Sequence, residues 1–312
     1  MNTLAVVLEQ PEHLALKEVA LVTPGADDVV VDVEWSGIST GTERLLWSGR
    51  MPDFPGMGYP LVPGYESVGR VSDAGEGARA RIGERVFVPG SRSFADVRSL
   101  FGGAAKRLIV PAARAITIKE DLGERGTLLA LAATAYHAIA AEGARKPDLI
   151  IGHGVLGRLL ARVTVALDAE PPVVWERNAE RAEGALGYVT IDPDKDVRQD
   201  YRAIYDVSGD STILDRLIAR LAPGGEIVLA GFYSAPLSFT FPPAFLREAR
   251  LRVAAEWREP DLVAVKELVE TGRLSLDGLI THRCPAQDAD GAYRTAFGDA
   301  ACLKMILDWR AA

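Results

Sequence analysis

Apolar and polar positions change period part-way along the chain. Up to about residue 120, short apolar runs between turn residues predict strands at 4–8, 29–33, 67–71, 85–88 and 106–110. Between them, residues 48–60 are dense in glycine and proline. Such a stretch cannot be helical, because proline fixes φ and removes a donor while glycine adds freedom. It predicts an ordered or binding loop, not a linker. From Gly126 onward, helical spacing alternates with short buried runs. Helices are predicted at 126–141, 155–167, 211–221 and 260–271, and strands at 148–151, 173–175, 203–207, 226–231 and 251–255. Repeated β-α-β order implies a parallel sheet with helices on both faces. The tail predicts a strand at 279–281, a helix at 288–297 and a strand at 305–309, with no internal repeat.

Length and composition narrow this. The chain has 312 residues, enough for two domains, and its 48% apolar and 25% charged residues are ordinary for a globular protein. A net charge of -8 offers no basic surface to nucleic acid. Two cysteines, Cys284 and Cys302, cannot make a four-cysteine zinc lobe and fit a reducing cytoplasm. The N-terminus lacks the basic, apolar and small-residue regions of a signal peptide. No run reaches the roughly 18 apolar residues of a membrane span. A cytoplasmic protein without integral membrane contact is expected.

The sharpest local motif is Gly152-His153-Gly154-Val155-Leu156-Gly157. It follows a predicted strand and opens a predicted helix. In a dinucleotide site Gly152 permits the turn, Gly154 lets backbone approach a pyrophosphate, and Gly157 lets helix pack on strand. The helix start offers free N–H groups to the anion. Glu176 ends the next strand about 20 residues past Gly157, where a carboxylate accepts from ribose hydroxyls. A carboxylate there repels a 2′-phosphate and favours NAD over NADP; Arg177 beside it softens that preference or is simply solvated. His153 faces phosphate or fills space. Ser208 and Gly209 after one strand, and Gly231 after another, are placed to flank the nicotinamide end, or are plain loop chemistry.

Four further motifs precede this unit: Gly37-Ile38-Ser39-Thr40-Gly41-Thr42-Glu43, Pro63-Gly64-Tyr65-Glu66-Ser67-Val68-Gly69, Gly83-Glu84-Arg85-Val86 and Thr134-Ala135-Tyr136-His137. Together they resemble the medium-chain dehydrogenase/reductase superfamily. The resemblance implies an α/β chain with a GroES-like β-rich catalytic domain and a Rossmann doubly wound parallel sheet. It sets a GroES-like catalytic domain at 1–122, a dinucleotide-binding domain at 123–258, and a segment at 259–312 that completes the catalytic domain. It also implies that Thr134 meets the cofactor. Zinc members carry cysteine where this chain has Ser39 or Thr40, histidine where it has Tyr65, and a third ligand near Ala130. Those residues are not the sulfur and nitrogen donors that zinc prefers, so no metal is expected. A site built on Glu43, Glu66 or a histidine is the alternative.

Residues 36–69 are similar to one branch of that superfamily, the bacteriochlorophyllide dehydrogenases of phototrophic bacteria. The branch implies oxidation of a 3-(1-hydroxyethyl) side chain to 3-acetyl on a chlorin macrocycle, with NAD, in bacteriochlorophyll biosynthesis. Without zinc the proton must be handled by side chains. Thr42 aligns with the family's relay hydroxyl, and the Tyr65 phenol stands at a former ligand position. Ser39, Thr40 and Glu66 are second candidates, Glu66 more readily a structural carboxylate. The loop 44–59 carries Trp47, Met51, Phe54, Met57 and Tyr59, an apolar wall for a flat ring or simply packing of the loop on its own domain. Arg44 or Arg50 could meet a propionate. A homodimer joined along an edge strand near 232–241 is expected from family analogy. A zinc-free enone or quinone reductase, and a nucleotide-binding protein without catalysis, are the competing readings.

Overall fold

The computed structural model describes every residue except Phe54. It divides into two compact units, Met1–Ala130 with Asp277–Ala312, and Leu131–Leu276. The resemblance implies domain breaks at 122/123 and 258/259; the compact units change at 130/131 and 276/277.

The first unit opens with β1 (Asn2–Gln10), β2 (His13–Ala20) and β3 (Asp28–Ile38), then α1 (Thr42–Trp47). There follow β4 (Leu61–Pro63), β5 (Ser67–Ala74), β6 (Arg85–Val88), β7 (Arg98–Leu100), β8 (Arg107–Pro111) and β9 (Ile116–Thr117). All five strands predicted here exist. β2 escapes an apolar-run reading because His13-Leu-Ala-Leu-Lys-Glu-Val-Ala is mostly part-exposed or exposed; it forms by antiparallel pairing with β1. The sequence predicts a loop from residue 44, whereas residues 44–47 close α1.

The second unit begins within α2 (Leu129–Ala140) and runs through β10 (Leu149–Ile151), α3 (Val155–Ala166), β11 (Val173–Trp175), α4 (Ala179–Ala182), β12 (Val189–Ile191), β13 (Tyr201–Asp206), α5 (Leu214–Arg220), β14 (Leu221–Leu229), α6 (Phe241–Leu246), β15 (Arg250–Val253) and α7 (Glu259–Glu270). Its six strands are all parallel in the order β12-β11-β10-β13-β14-β15. Order reverses at β10, the switch point where doubly wound sheets bind nucleotides. Residues 232–241 are not a strand: 232–240 are irregular and Phe241 begins α6, whose first turn tolerates Pro242 and Pro243. The edge strands are β12 and β15.

The chain then returns to the first unit with β16 (His282–Pro285), α8 (Ala289–Gly298) and β17 (Met305–Asp308). The strand predicted at 279–281 lies a few residues further on, as β16. β17 runs antiparallel to β3, and β3 also pairs with β5 and β8, making it the centre of a seven-stranded sheet. Val29, Val30, Val31 and Val33 of β3 are buried in the main core. Trp309 is fully buried, and its indole donates to Ser36 Oγ at 2.8 Å, fastening the C-terminus to β3.

Candidate functional site

In the second unit β10 ends at Ile151 and the chain turns through Gly152 to Gly154 into α3. Gly152 sits at φ +98°, a conformation side chains rarely adopt. A Cβ on Gly157 would stand 1.9 Å from the Gly152 carbonyl oxygen, so helix and turn can close only on glycine. Gly154 is different: a Cβ there meets nothing within 4 Å, leaving open space at the helix N-terminus. Gly154 caps α3 without any side-chain hydrogen bond. Val155 and Leu156 form the first turn of α3, and its N–H groups face that space with the positive end of the helix dipole.

Glu176 follows β11. Its carboxylate accepts from the His153 amide at 3.1 Å and the Asn178 amide at 2.9 Å, which fixes its plane beside the turn and leaves further lone pairs. Arg177 is exposed, 3.9 Å from Asp194. Of the two readings of His153, the ring's contacts favour the one in which it fills space, since both ring nitrogens have protein partners. Its Nδ1 pairs with the Arg181 carbonyl at 2.6 Å and its Nε2 with the Tyr188 hydroxyl at 2.7 Å. Burial pushes the imidazole down to about 4, so it stays neutral. Arg158 joins this lock, donating to the carbonyls of His153, Arg181, Glu183 and Gly184. Ser208, Gly209 and Gly231 surround the end of β13: the Ser208 amide donates to Asp206 Oδ1 at 2.9 Å, and the Gly231 amide donates to the Asp206 carbonyl at 3.0 Å. Gly209 has φ +72°. Thr134 lies part-buried on α2. An open glycine turn, free N–H groups and an aimed carboxylate suit a dinucleotide.

The other candidates gather in the first unit, because β3 and β5 are neighbours. Ser36 pairs with Ser67, so the residues just beyond each strand meet. The Tyr65 phenol donates to Ser39 Oγ at 2.7 Å, and the Thr42 side chain also bonds the phenol. Burial and the nearby Glu66 carboxylate hold the phenol well above its usual range, so it stays protonated. Tyr65 also packs edge-on against Phe101, ring centres 5.4 Å apart. Thr40 is part-buried beside Gly41, which caps α1.

Glu66 is fully buried and given over to Lys304, whose Nζ lies 2.6 and 2.9 Å from its two oxygens. The pairing is that of a structural carboxylate, the readier of the two readings of Glu66. Neither Lys304 nor Tyr293, which donates to Glu43 at 2.5 Å, was expected. A lysine inside the apolar run Cys302-Leu-Lys-Met-Ile-Leu was the available signal, since a buried ammonium requires a carboxylate. At the positions where the resemblance implies zinc ligands, this chain has the hydroxyls of Ser39 and Thr40, the Tyr65 phenol and the Ala130 methyl, groups that are not the sulfur and nitrogen donors zinc prefers. Among the described residues no three His, Cys, Asp or Glu side chains gather as a metal-ligand set.

The loop residues divide. Met51 is buried with Leu8, Leu46, Leu61 and Leu100, so it belongs to the core and not to a wall facing a ligand. Trp47 packs against Phe297, under the Arg294 guanidinium. Met57 and Tyr59 are part-exposed on the same cluster, and the Tyr59 hydroxyl donates to the Leu46 carbonyl. Arg44 and Arg50 are exposed; Arg50 Nε donates to Ser48 Oγ at 3.2 Å. Phe54 lies outside the described residues.

Residues 25–120 match the alcohol dehydrogenase GroES-like domain family. The chain is 58% identical over 316 residues to the 2-desacetyl-2-hydroxyethyl bacteriochlorophyllide A dehydrogenase of Cereibacter sphaeroides, covering 100% of this chain and 99% of that one. It is 55% identical to the protein of the same name in Rhodobacter capsulatus, covering 99% of each. A short chain alcohol dehydrogenase from Escherichia coli CFT073, solved with NADH, shares the fold at a TM-score of 0.84 and 23% identity, covering 98% of this chain and 99% of that one. Dehydrogenases of this kind imply a nicotinamide cofactor, and no helix among the described residues is long and apolar enough to cross a membrane. The chain belongs to the family of the bacteriochlorophyllide dehydrogenases, within the alcohol dehydrogenases that carry a GroES-like domain.

Proposed function

We propose that the chain oxidises the 3-(1-hydroxyethyl) group of a bacteriochlorophyllide to 3-acetyl, with NAD and without zinc, in bacteriochlorophyll biosynthesis. The supporting observation is the full-length likeness to two dehydrogenases named for that substrate class. In this reading Met1–Ala130 with Asp277–Ala312 is the catalytic domain and Leu131–Leu276 the nucleotide domain. Gly152 to Gly157 cradle the pyrophosphate, Glu176 receives the adenosine ribose, and its charge disfavours a 2′-phosphate. Thr134, Ser208, Gly209 and Gly231 serve the nicotinamide end.

A bound nicotinamide supplies the hydride acceptor; the chain supplies placement and a route for the proton. The Tyr65 phenol hydrogen-bonds the carbinol oxygen. Because the phenol stays neutral, it passes a proton along hydroxyls instead of storing a negative charge. The carbinol proton moves to the Tyr65 oxygen as the phenol's own proton moves to Ser39 or Thr42 and on to water. The conjugated ring next to the reacting carbon spreads positive charge as hydride leaves, so placement counts for more than prior deprotonation. Phe101 offers apolar surface beside the phenol, and Met57 and Tyr59 pack on the same hydrophobic cluster as Phe101. Cys284 and Cys302, neither of them in a disulfide, fit a cytoplasmic enzyme. A second copy of the chain pairs along β15, where Leu251 and Val253 are exposed near Phe241, Phe245 and Leu246; a monomer in sedimentation removes that part.

The test is an assay of purified chain with NAD and 3-hydroxyethyl bacteriochlorophyllide, with and without a chelator. Formation of NADH with a red-shifted chlorin band in both samples is expected. Loss of activity with chelator removes the zinc-free element, and no turnover of the chlorin removes the function.

A further inference from the structure

Glu43 has no part in the proton route above, yet it is almost completely buried, 1% exposed, in the first turn of α1. Burying a carboxylate is costly unless hydrogen bonds repay it. Two donors reach this one: the Tyr293 hydroxyl of α8 at 2.5 Å, and the Ser39 amide at 3.1 Å. The Glu43 amide in turn donates to the Ser39 carbonyl at 3.1 Å. Both backbone groups of Ser39 are therefore held by one residue, a reciprocal arrangement like a capping box. The Ser39 hydroxyl is the acceptor on which the Tyr65 phenol rests at 2.7 Å.

We infer that Glu43 is a positioning residue: clamped by Tyr293, it fixes Ser39, and through the Ser39 hydroxyl it sets where the Tyr65 phenol points. The inference rests on the proposed role of Tyr65 at the reacting oxygen. A small displacement of a phenol that must meet that oxygen is expensive in rate.

The ionisation of Glu43 is part of the clamp. The charged and titratable groups facing it are Tyr293 from α8, Glu66 and Tyr65 from the turn between β4 and β5, and Lys304 just before β17. Burial raises its carboxyl to about 7, with Tyr293 and Ser39 pulling it down, Glu66 pushing it up and Lys304 pulling it down. The ionised form accepts from both partners. In the neutral acid the oxygen facing Tyr293 carries the proton and the Tyr293 hydroxyl can turn to accept it, while the Ser39 amide is left with an uncharged and weaker acceptor, so that side of the clamp weakens on protonation.

Fluorotyrosine-labelled protein tests this, with the Tyr65 fluorine resonance assigned by its loss in Tyr65→Phe. The wild-type Tyr65 resonance should move with a midpoint near neutral pH. In Glu43→Gln it should be displaced and should no longer titrate there. With the chlorin substrate, Glu43→Gln should lower kcat about tenfold and leave KM for NAD unchanged. Tyr293→Phe, which keeps the ring volume and removes one donor, should shift the same resonance and serves if the Glu43→Gln variant does not fold. A Tyr65 resonance with wild-type position and titration in both variants overturns the inference. If wild-type protein leaves the chlorin unoxidised, the proposed function falls, and the resonance still decides whether Glu43 sets Tyr65.

Discussion

Lys304 and Glu66 form an ion pair sealed from solvent, with Nζ 2.6 Å from the closer carboxylate oxygen and the side chains 1% and 0% exposed. The Ile38 carbonyl accepts a further hydrogen bond from the ammonium at 3.2 Å. Removing one member of such a pair leaves a buried charge alone. Lys304→Met is expected to destabilise by about 3 kcal/mol near neutral pH. Burial already raises the Glu66 carboxyl, with Lys304 opposing. Without the lysine it rises further, so the deficit should shrink in acid, where Glu66 takes a proton. A combined Lys304→Met, Glu66→Gln variant should melt above Lys304→Met. Equal melting temperatures for the two would sever the pair from the stability of the fold.

Tyr65→Phe keeps the edge-on contact with Phe101 and removes only the phenol oxygen. A loss of about a hundredfold in kcat is expected, the usual scale for a group that handles a proton in the transition state. KM for NAD should hold. Full turnover by the variant would take the phenol out of the mechanism.

Much of the architecture could be read from the chain, and the unread portion shares a cause. Apolar runs such as Val29-Val-Val and Leu149-Ile-Ile announce strands because both faces are buried. β2, β7 and β12 have no such run and are made by pairing with a neighbour. The glycine turn with Glu176 is local in sequence and was legible as a unit. Glu43, Tyr293, Glu66 and Lys304 come together from distant segments, and only the β3, β5 and β17 pairing brings them near. The two readings of His153 stay open in sequence for the same reason: the partners of its ring, Arg181 and Tyr188, are brought to it by the fold.

Gly154 and Gly157 should separate cofactor binding from folding. A methyl on Gly154 meets no protein atom, so Gly154→Ala should melt like wild type and bind NAD at least tenfold more weakly, since it fills space that a pyrophosphate needs. Gly157→Ala drives a Cβ onto the Gly152 carbonyl and should lower the melting temperature with or without NAD. Calorimetric titration and thermal melts check both. Wild-type NAD affinity in Gly154→Ala would contradict the cradle.

Glu176→Ala loses a carboxylate held by the His153 and Asn178 amides. If that carboxylate receives ribose hydroxyls, KM for NAD should rise about tenfold, the worth of a charged hydrogen bond, with kcat little changed. Discrimination against NADP should relax, because Arg177 then faces a 2′-phosphate without an adjacent negative charge. Unchanged saturation by both cofactors would deny Glu176 that role.

Glu43 gives stability a pH dependence of defined sign. Its carboxyl is raised by burial from an ordinary 4.5 to about 7. A raised acid favours the folded state where it is protonated: the contribution is fully present below pH 4.5 and is lost as pH climbs through about 7. The span corresponds to about 3 kcal/mol. A glutamine amide in the same place is neutral at every pH and free of that penalty. Glu43→Gln should therefore gain melting temperature relative to wild type on going from about pH 5 to about pH 8, while the same substitution slows turnover. That opposition is what a site held in place at the expense of stability should show. A melting-temperature difference that is the same at both pH values would mean that Glu43 does not titrate between them.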